Sequence, residues 1–260
     1  MLPFITFSIL SKTIHIPMYG FLMMLGVVVG SFIAIPLTKY KKQNYYDFII
    51  ITACAGGLGL MFAKILFIVQ SYPLSEFFIQ LIKVDSGYVF YGGLIGAIPG
   101  YIIGVKIAKC GLLDFANIYG CLIPLAHSFG RLGCFCAGCC YGIRYDGLFA
   151  VYYHNPLSSV AVDVGIFPVQ LLEAIMLLMV FFINILFFYH CNNRVVCLTF
   201  YLISYSIIRF CVEFLRGDIE RHFLKLPFFT LSTSQVISIC IFTVVCSLYI
   251  IHFFTTRSNK

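Results

Sequence analysis

Charge is scarce in this chain. Of its 260 residues only 10% are Asp, Glu, Lys or Arg, against 61% hydrophobic, and the mean hydropathy is +0.99. A soluble domain carries about 25% charged residues, so these side chains do not cover a water-facing surface of ordinary polarity. That excludes a soluble globular protein, a disordered tail and a DNA-binding domain, and leaves an integral membrane protein. Tryptophan is absent, so any aromatic belt at the membrane interface falls to the 17 Tyr. A small-residue cleavage site is also missing: the first long apolar run passes into the basic loop of Lys39, Lys41 and Lys42, which argues against a cleaved signal peptide. No repeat of fixed period and no pair of matched interrupted helices suggests inverted transporter halves. There is also no long polar stretch to serve as a receptor or signalling module.

What is present is a succession of apolar runs near the 20 residues needed to cross a bilayer. They predict an all-α integral membrane protein of about seven transmembrane helices, over residues 18–38, 48–70, 88–108, 112–129, 168–189, 196–215 and 232–254. Residues 74–84 are short and amphipathic, with Glu76 and Lys83, and read as an interfacial segment. Residues 139–167, with Gly142, Gly147, Pro156 and Gly165, read as a small extracytoplasmic cap on a single transmembrane domain covering residues 1–260. With the N-terminus outside, the inner loops hold Lys39, Lys41, Lys42, Lys106, Lys109, Arg194, Arg257 and Lys260. The outer loops hold only Lys12, Lys83, Arg144, Arg221 and Lys225. The bias predicts an outer N-terminus and a cytoplasmic C-terminus. The net charge of +7 then reflects cytoplasmic flanks and a site for anionic lipid, not nucleic acid.

Some charges remain at membrane depth: Lys64, Arg131, Arg209, Arg216, Glu173 and Glu213, with His127 beside them. A central Arg costs at least ~2.5–3.5 kcal/mol on insertion scales, so it persists when it pairs, snorkels or serves a function. Arg209, Glu213 and Arg216 are spaced i, i+4, i+7, which places them on one face of a helix. One Glu neutralises one Arg and leaves a positive charge over. The alternatives are an ion pair joining helices and an anion site in which Glu213 orients a guanidinium whose planar fork grips two phosphate oxygens. Arg131, in Gly130-Arg131-Leu132-Gly133 at the outer end of the fourth span, either snorkels or adds a second guanidinium; the glycines permit a bend there. Glu173, at the start of the fifth span, either complements the helix dipole in the first turn or joins the site. Lys64 reads as snorkelling, and His127 as a hydrogen-bonded helix residue.

At this point several stretches together resemble the prolipoprotein diacylglyceryl transferase family. The sequence Gly130-Arg131-Leu132-Gly133-Cys134-Phe135-Cys136-Ala137-Gly138-Cys139-Cys140-Tyr141-Gly142 is similar to that family's signature, G-R-x-G-N-F-x-N-x-E-x-x-G. Tyr19-Gly20 resembles its early Tyr-Gly, and Tyr91-Gly92-Gly93-Leu94-Ile95-Gly96 its H-G-G-L-I-G. Pro168 to Glu173 resembles its P-S-Q-L-Y-E, and Tyr205 to Asp218 its Y-G-x-x-R-F-x-x-E-x-x-R-x-x-D, one residue shorter before the Asp. The resemblance implies a membrane enzyme of the bacterial plasma membrane with its site toward the outer leaflet. It implies transfer of diacylglyceryl from phosphatidylglycerol to the lipobox cysteine of a preprolipoprotein, with signal peptides and membrane lipids as partners and neither cofactor nor metal. Carried over, Arg131 contacts the donor phosphate. Arg209, Glu213 and Arg216 complete the pocket, with Tyr19, Gly92 and Gly142 at the substrate and Tyr91 among the catalytic groups.

The chain departs from the family's pattern at the polar positions. The family's His is Tyr91, a poor base near neutrality. Its two signature Asn are Cys134 and Ala137, and its Glu is Cys139. Either thiol activation then depends on electrostatics and a different group, His127 or Tyr91 as a hydrogen-bonding partner, or the protein is a lipid transferase with a different acceptor. A rival of another class is a non-catalytic lipid-binding or thiol/metal membrane protein whose arginines serve structure. Most of the 12 Cys are scattered along apolar runs and behave as small hydrophobes. Cys134-x-Cys136-x-x-Cys139-Cys140 is arranged. It is open to small-residue packing, to local disulfides on an oxidising face, or to metal or thiol chemistry, although no second ligand pair completes a zinc finger.

Overall fold

The computed structural model describes residues 4–9, 12–83, 87–154, 164–218, 223–225 and 230–258. Val84, Pro156, Arg221 and Lys260, used in the sequence reading, lie outside them. Among the described residues the fold is all-α apart from two short antiparallel hairpins and a few isolated β-bridges. β1 (Phe4–Ile9) pairs with β2 (Lys12–Pro17), and β3 (Phe223–Lys225) with β4 (Thr230–Ser232). The helices are α1 (Met18–Tyr40), α2 (Tyr45–Ser71), α3 (Phe77–Ile82), α4 (Phe90–Ala108), α5 (Ala116–Ala137), α6 (Val169–His190), α7 (Val196–Val212) and α8 (Thr233–Ser258). Among the described residues six stretches are long and apolar enough to cross a membrane: α1, α2, α4, α6, Val196–Leu215 and the first part of α8. α5 has comparable length but carries Asn117, His127, Ser128 and Arg131 in its body. It tolerates them because much of its surface is buried against α6 and α7.

The chain divides into two compact units, residues 33–115 and residues 1–32 with 116–260. The smaller unit is built on α2 and α4. Gly92, Gly96, Gly100 and Gly104, one turn apart, are all buried. A Cβ on Gly96 would lie 2.4 Å from the Leu58 carbonyl oxygen, and one on Gly100 would lie 2.5 Å from that of Cys54. Two backbones come this close only where small residues line the seam, the usual way for helices to pack in lipid. Lys64 is tied down at its tip, where Nζ donates to the Lys83 carbonyl at 2.6 Å. Within the predicted interfacial segment, the described residues form a 3-10 turn (Leu74–Glu76) followed by α3.

The larger unit packs α5, α6, α7 and α8. Its end distant from the arginines is held by polar links between helices. Asn184 Nδ2 donates to the Gly120 carbonyl at 2.8 Å, Asn117 Nδ2 to the Asn193 carbonyl at 2.6 Å, and the Cys197 amide to Asn117 Oδ1 at 3.1 Å. Cys121 and Cys197 are less inert than their sequence context suggests, since both thiols donate to the Asn184 carbonyl at 3.4 Å.

Three local expectations change. α5 runs on through Gly130 and Gly133 to Ala137, without ending near Phe129. The two glycines serve packing: a Cβ on Gly133 would meet the Tyr19 ring of α1 at 3.0 Å, and one on Gly130 the Met23 sulfur at 2.8 Å. Glu173 stands beyond the first turn of α6, which begins at Val169 and has no acidic residue in that turn; it is therefore not a dipole cap. Arg209, Glu213 and Arg216 do not share one α-helical face. α7 ends at Val212, the chain tightens into a 3-10 turn over Glu213–Leu215, and Arg216 is extended at φ −81, ψ 139. A bridge between Arg216 and Gly142, and the Gly217 amide donating to the Tyr141 carbonyl at 3.0 Å, hold it there.

Candidate active site

The larger unit gathers its buried charges into one network. Glu173 of α6 is 2% exposed. Its Oε1 stands 3.0 Å from Arg131 Nη2 of α5, and its Oε2 3.9 Å from Arg209 Nη1 of α7. Arg209 Nη2 is 2.8 Å from Glu213 Oε2, which is also 3.7 Å from Arg216 Nη1. Arg216 closes the chain on Asp218, with Nε 2.9 Å from Oδ1 and Nη2 on Oδ2. Arg131 and Arg209, from different helices, thus converge on a single carboxylate.

By formal count three guanidiniums face three carboxylates. The surplus positive charge expected from Arg209, Glu213 and Arg216 alone is not there, because Glu173 and Asp218 join from outside the motif. This balance lets three guanidiniums persist under cover, where removing one partner of a buried pair costs about 3–5 kcal/mol. The hydrogen-bond balance is less complete. Arg131 Nε and Arg209 Nη1 are buried and have no hydrogen-bond acceptor among the described residues. A buried donor left so costs roughly 1–3 kcal/mol, and five fixed N–H groups per guanidinium leave places for further acceptor oxygens.

Aromatic side chains wall this network. Tyr205 accepts from Arg131 Nη2 through its hydroxyl at 3.3 Å. His127 Nδ1 lies 3.2 Å from the Tyr201 hydroxyl, and its ring stands edge-on to Tyr205 at 4.6 Å between centroids. His127 is therefore the hydrogen-bonded helix residue its position suggests. Arg209 Nη2 also donates to Ser234 Oγ of α8 at 2.9 Å.

Tyr19 packs on the backbone of the Arg131 motif through Gly133. Gly142 has a backbone role: a Cβ would lie 2.3 Å from the Phe167 carbonyl oxygen and would break its bridge to Arg216. Tyr91 and Gly92 belong to the smaller unit. Tyr91 is exposed on the first turn of α4, and Gly92 is packed where a Cβ would lie 2.5 Å from the Phe62 carbonyl oxygen. Of the participants, Tyr201, Tyr205, Ser234 and Asp218 were not singled out as site residues from the sequence. For Tyr205 and Asp218 the signal was present, since they open and close the motif that holds Arg209.

The cysteines of the signature close over the α5 terminus. Gly138 (φ 73) and Cys140 (φ 55) adopt left-handed backbone, and Gln170 Nε2 pins the turn through the Cys139 carbonyl at 2.8 Å. No disulfide is present: all 12 cysteines are thiols. Hydrogen bonds from Cys134 and Cys139 hold the Cys140 thiol below the usual thiol range. Burial opposes this, and Arg216 and Arg131 add to the lowering. Cys139 goes the other way: its bond to Cys134 favours the thiolate, but its bond to Cys140 and burial outweigh that and push it up to about 11.

The fold and the ion pairs define an all-α membrane protein with a buried, paired arginine network where three helices meet. The chain belongs to the prolipoprotein diacylglyceryl transferase family, whose family model matches residues 5–251. It is 32% identical over 232 residues to phosphatidylglycerol–prolipoprotein diacylglyceryl transferase 2 of Clostridium perfringens, covering 86% of each chain. It is 29% identical over 249 residues to the phosphatidylglycerol–prolipoprotein diacylglyceryl transferase of Clostridioides difficile, covering 95% of this chain and 94% of that one. The protein is a transferase.

Proposed function

We propose that the protein moves the diacylglyceryl group of phosphatidylglycerol to the lipobox cysteine thiol of preprolipoproteins, in the plasma membrane of a bacterium. The observation that carries this reading is the meeting of Arg131 and Arg209 on Glu173, with Arg131 Nε and Arg209 Nη1 buried and lacking acceptors. Phosphate oxygens supply what those donors lack.

In the reaction the acceptor sulfur bonds to the glyceryl carbon, the bond from that carbon to the phosphate oxygen breaks, and glycerol phosphate departs with one more negative charge. The thiol proton passes to water as the thioether forms. Guanidiniums already fixed by Glu173, Glu213 and Asp218 stabilise the growing charge without reorganising, and their field favours the thiolate of the incoming cysteine. Arg131 binds the donor phosphate, Arg209 and Arg216 assist, Glu213 orients them, and Tyr19 and Gly142 shape the surroundings. Tyr91, at the family's histidine position, serves as a hydrogen-bonding phenol, with Gly92 beside it. The topology is seven spans, α5 included, forming one transmembrane domain. The N-terminus is outside and the site faces the outer leaflet.

The test is purified protein with phosphatidylglycerol and a lipobox peptide, followed by mass spectrometry of the peptide. The wild type adds one diacylglyceryl group. Arg131→Lys keeps the charge and loses the fork, and should lower the rate at least ~100-fold, the scale of losing one preorganised donor, while the protein stays folded. A wild type that leaves the thiol unmodified, or an Arg131→Lys variant of equal rate, overturns the proposal.

A further inference from the structure

We propose that Cys134, Cys139 and Cys140 form a binding site for one soft monovalent cation of the copper(I) type. The three sulfurs all lie within 4.8 Å of one another. A metal–thiolate bond of about 2.3 Å places three sulfurs on a trigonal ion about 4.0 Å apart, so closing the site needs less than an ångström of movement per edge. The backbone already holds the arrangement. α5 ends at Ala137, Gly138 and Cys140 reverse the chain through left-handed backbone, and the Cys139 amide donates to the Cys134 carbonyl at 3.2 Å. Gln170 fixes the turn from α6. The turn brings residues five and six positions on from Cys134 back onto its sulfur.

The donor set selects the ion. Thiolates favour copper(I), zinc and iron–sulfur clusters. Structural zinc takes four protein ligands, and no fourth His, Cys, Asp or Glu joins the group among the described residues. Three thiolates with one copper(I) carry two negative charges, and Arg216 and Arg131 stand within electrostatic range of Cys140 to offset them. Binding releases up to three protons, one from each thiol, with no change of oxidation state. The inference does not depend on the transferase reading.

Reduced protein in detergent would be titrated anaerobically with copper(I) presented by a competing chelator. The expected result is one ion per chain above the uptake of Cys134→Ser/Cys139→Ser/Cys140→Ser. Each single serine variant should lose at least 100-fold in affinity, and Cys136→Ser should bind as the wild type does. X-ray absorption at one equivalent should show three sulfur neighbours, which tests the site even if the triple variant fails to fold. Equal uptake by the wild type and a folded triple variant, or a two-sulfur ion, overturns the proposal.

Discussion

Glu173 is the residue on which the larger unit's polar interior turns. Its two oxygens face guanidiniums from two other helices, and almost no solvent reaches it. Replacing it by Gln keeps the shape and removes the charge, leaving Arg131 without its carboxylate and Arg209 with Glu213 alone. Breaking a buried pair in this way costs about 3–5 kcal/mol. Glu173→Gln should therefore unfold at a clearly lower temperature in detergent, measured by near-UV circular dichroism, and should lose most transfer activity. An unchanged transition would mean that the network does not hold the helices. From the sequence, Glu173 was undecided between a helix cap and a site residue. The spacing of a motif fixes neighbours along one helix and says nothing about which foreign carboxylate will face it. For the same reason Arg209 and Glu213 were legible as a pair, while the charge balance supplied by Glu173 and Asp218 was not.

The thiols allow a second test at this scale. Reactivity follows the thiolate fraction. At a given pH that fraction is larger for Cys140, held low by the Cys134 and Cys139 hydrogen bonds and the two arginines, than for Cys110, which burial and Asp114 push up. At pH 7 iodoacetamide should modify Cys140 before Cys110. Cys110 labelling should stay slow until the pH passes the ordinary thiol value near 8.5 and should then rise. Peptide mass spectrometry after timed quenching reads both, and equal rates at pH 7 would refute the assignment.

At the scale of elements, helix existence was legible because apolar runs of spanning length are long signals. Ends were less so. α5 passes through two glycines that read as a bend, because neighbouring side chains of α1 occupy the space a Cβ would need. The hairpin β1–β2 was not anticipated, since its alternation is brief and sits before the first long run. The glycine seam of α4 makes a directional prediction. Gly96→Ala would force a Cβ to 2.4 Å from the Leu58 carbonyl, in the middle of α2 where backbone does not yield cheaply. Gly57→Ala, on the same helix pair, meets nothing within 4 Å and removes a glycine that costs up to about 1 kcal/mol in a helix. Thermal unfolding should fall for the first and hold or rise for the second. A tolerated Gly96→Ala would show that the two helices can separate without loss.

At the scale of the whole molecule, the least legible property is orientation, because it rests on a small difference of loop charge instead of on packing. Lys39, Lys41 and Lys42, clustered at the end of α1, supply the whole excess of inner over outer basic residues. Replacing the three by Gln brings the two sides level at five each. The first helix usually dominates insertion, so the loss falls where it has most weight. A C-terminal green fluorescent protein fusion of the wild type should fluoresce, and an alkaline phosphatase fusion at the same point should be inactive, since the first works only inside and the second only outside. In the Lys39→Gln/Lys41→Gln/Lys42→Gln variant, part of the population should invert, so that phosphatase activity appears as fluorescence falls. If the variant keeps the wild-type pattern, orientation is set elsewhere, and the outer-leaflet placement of Arg131 and Arg209 loses its support from loop charge. If it inverts and donor transfer falls in proportion, the arginine network works only when it opens toward the outer leaflet.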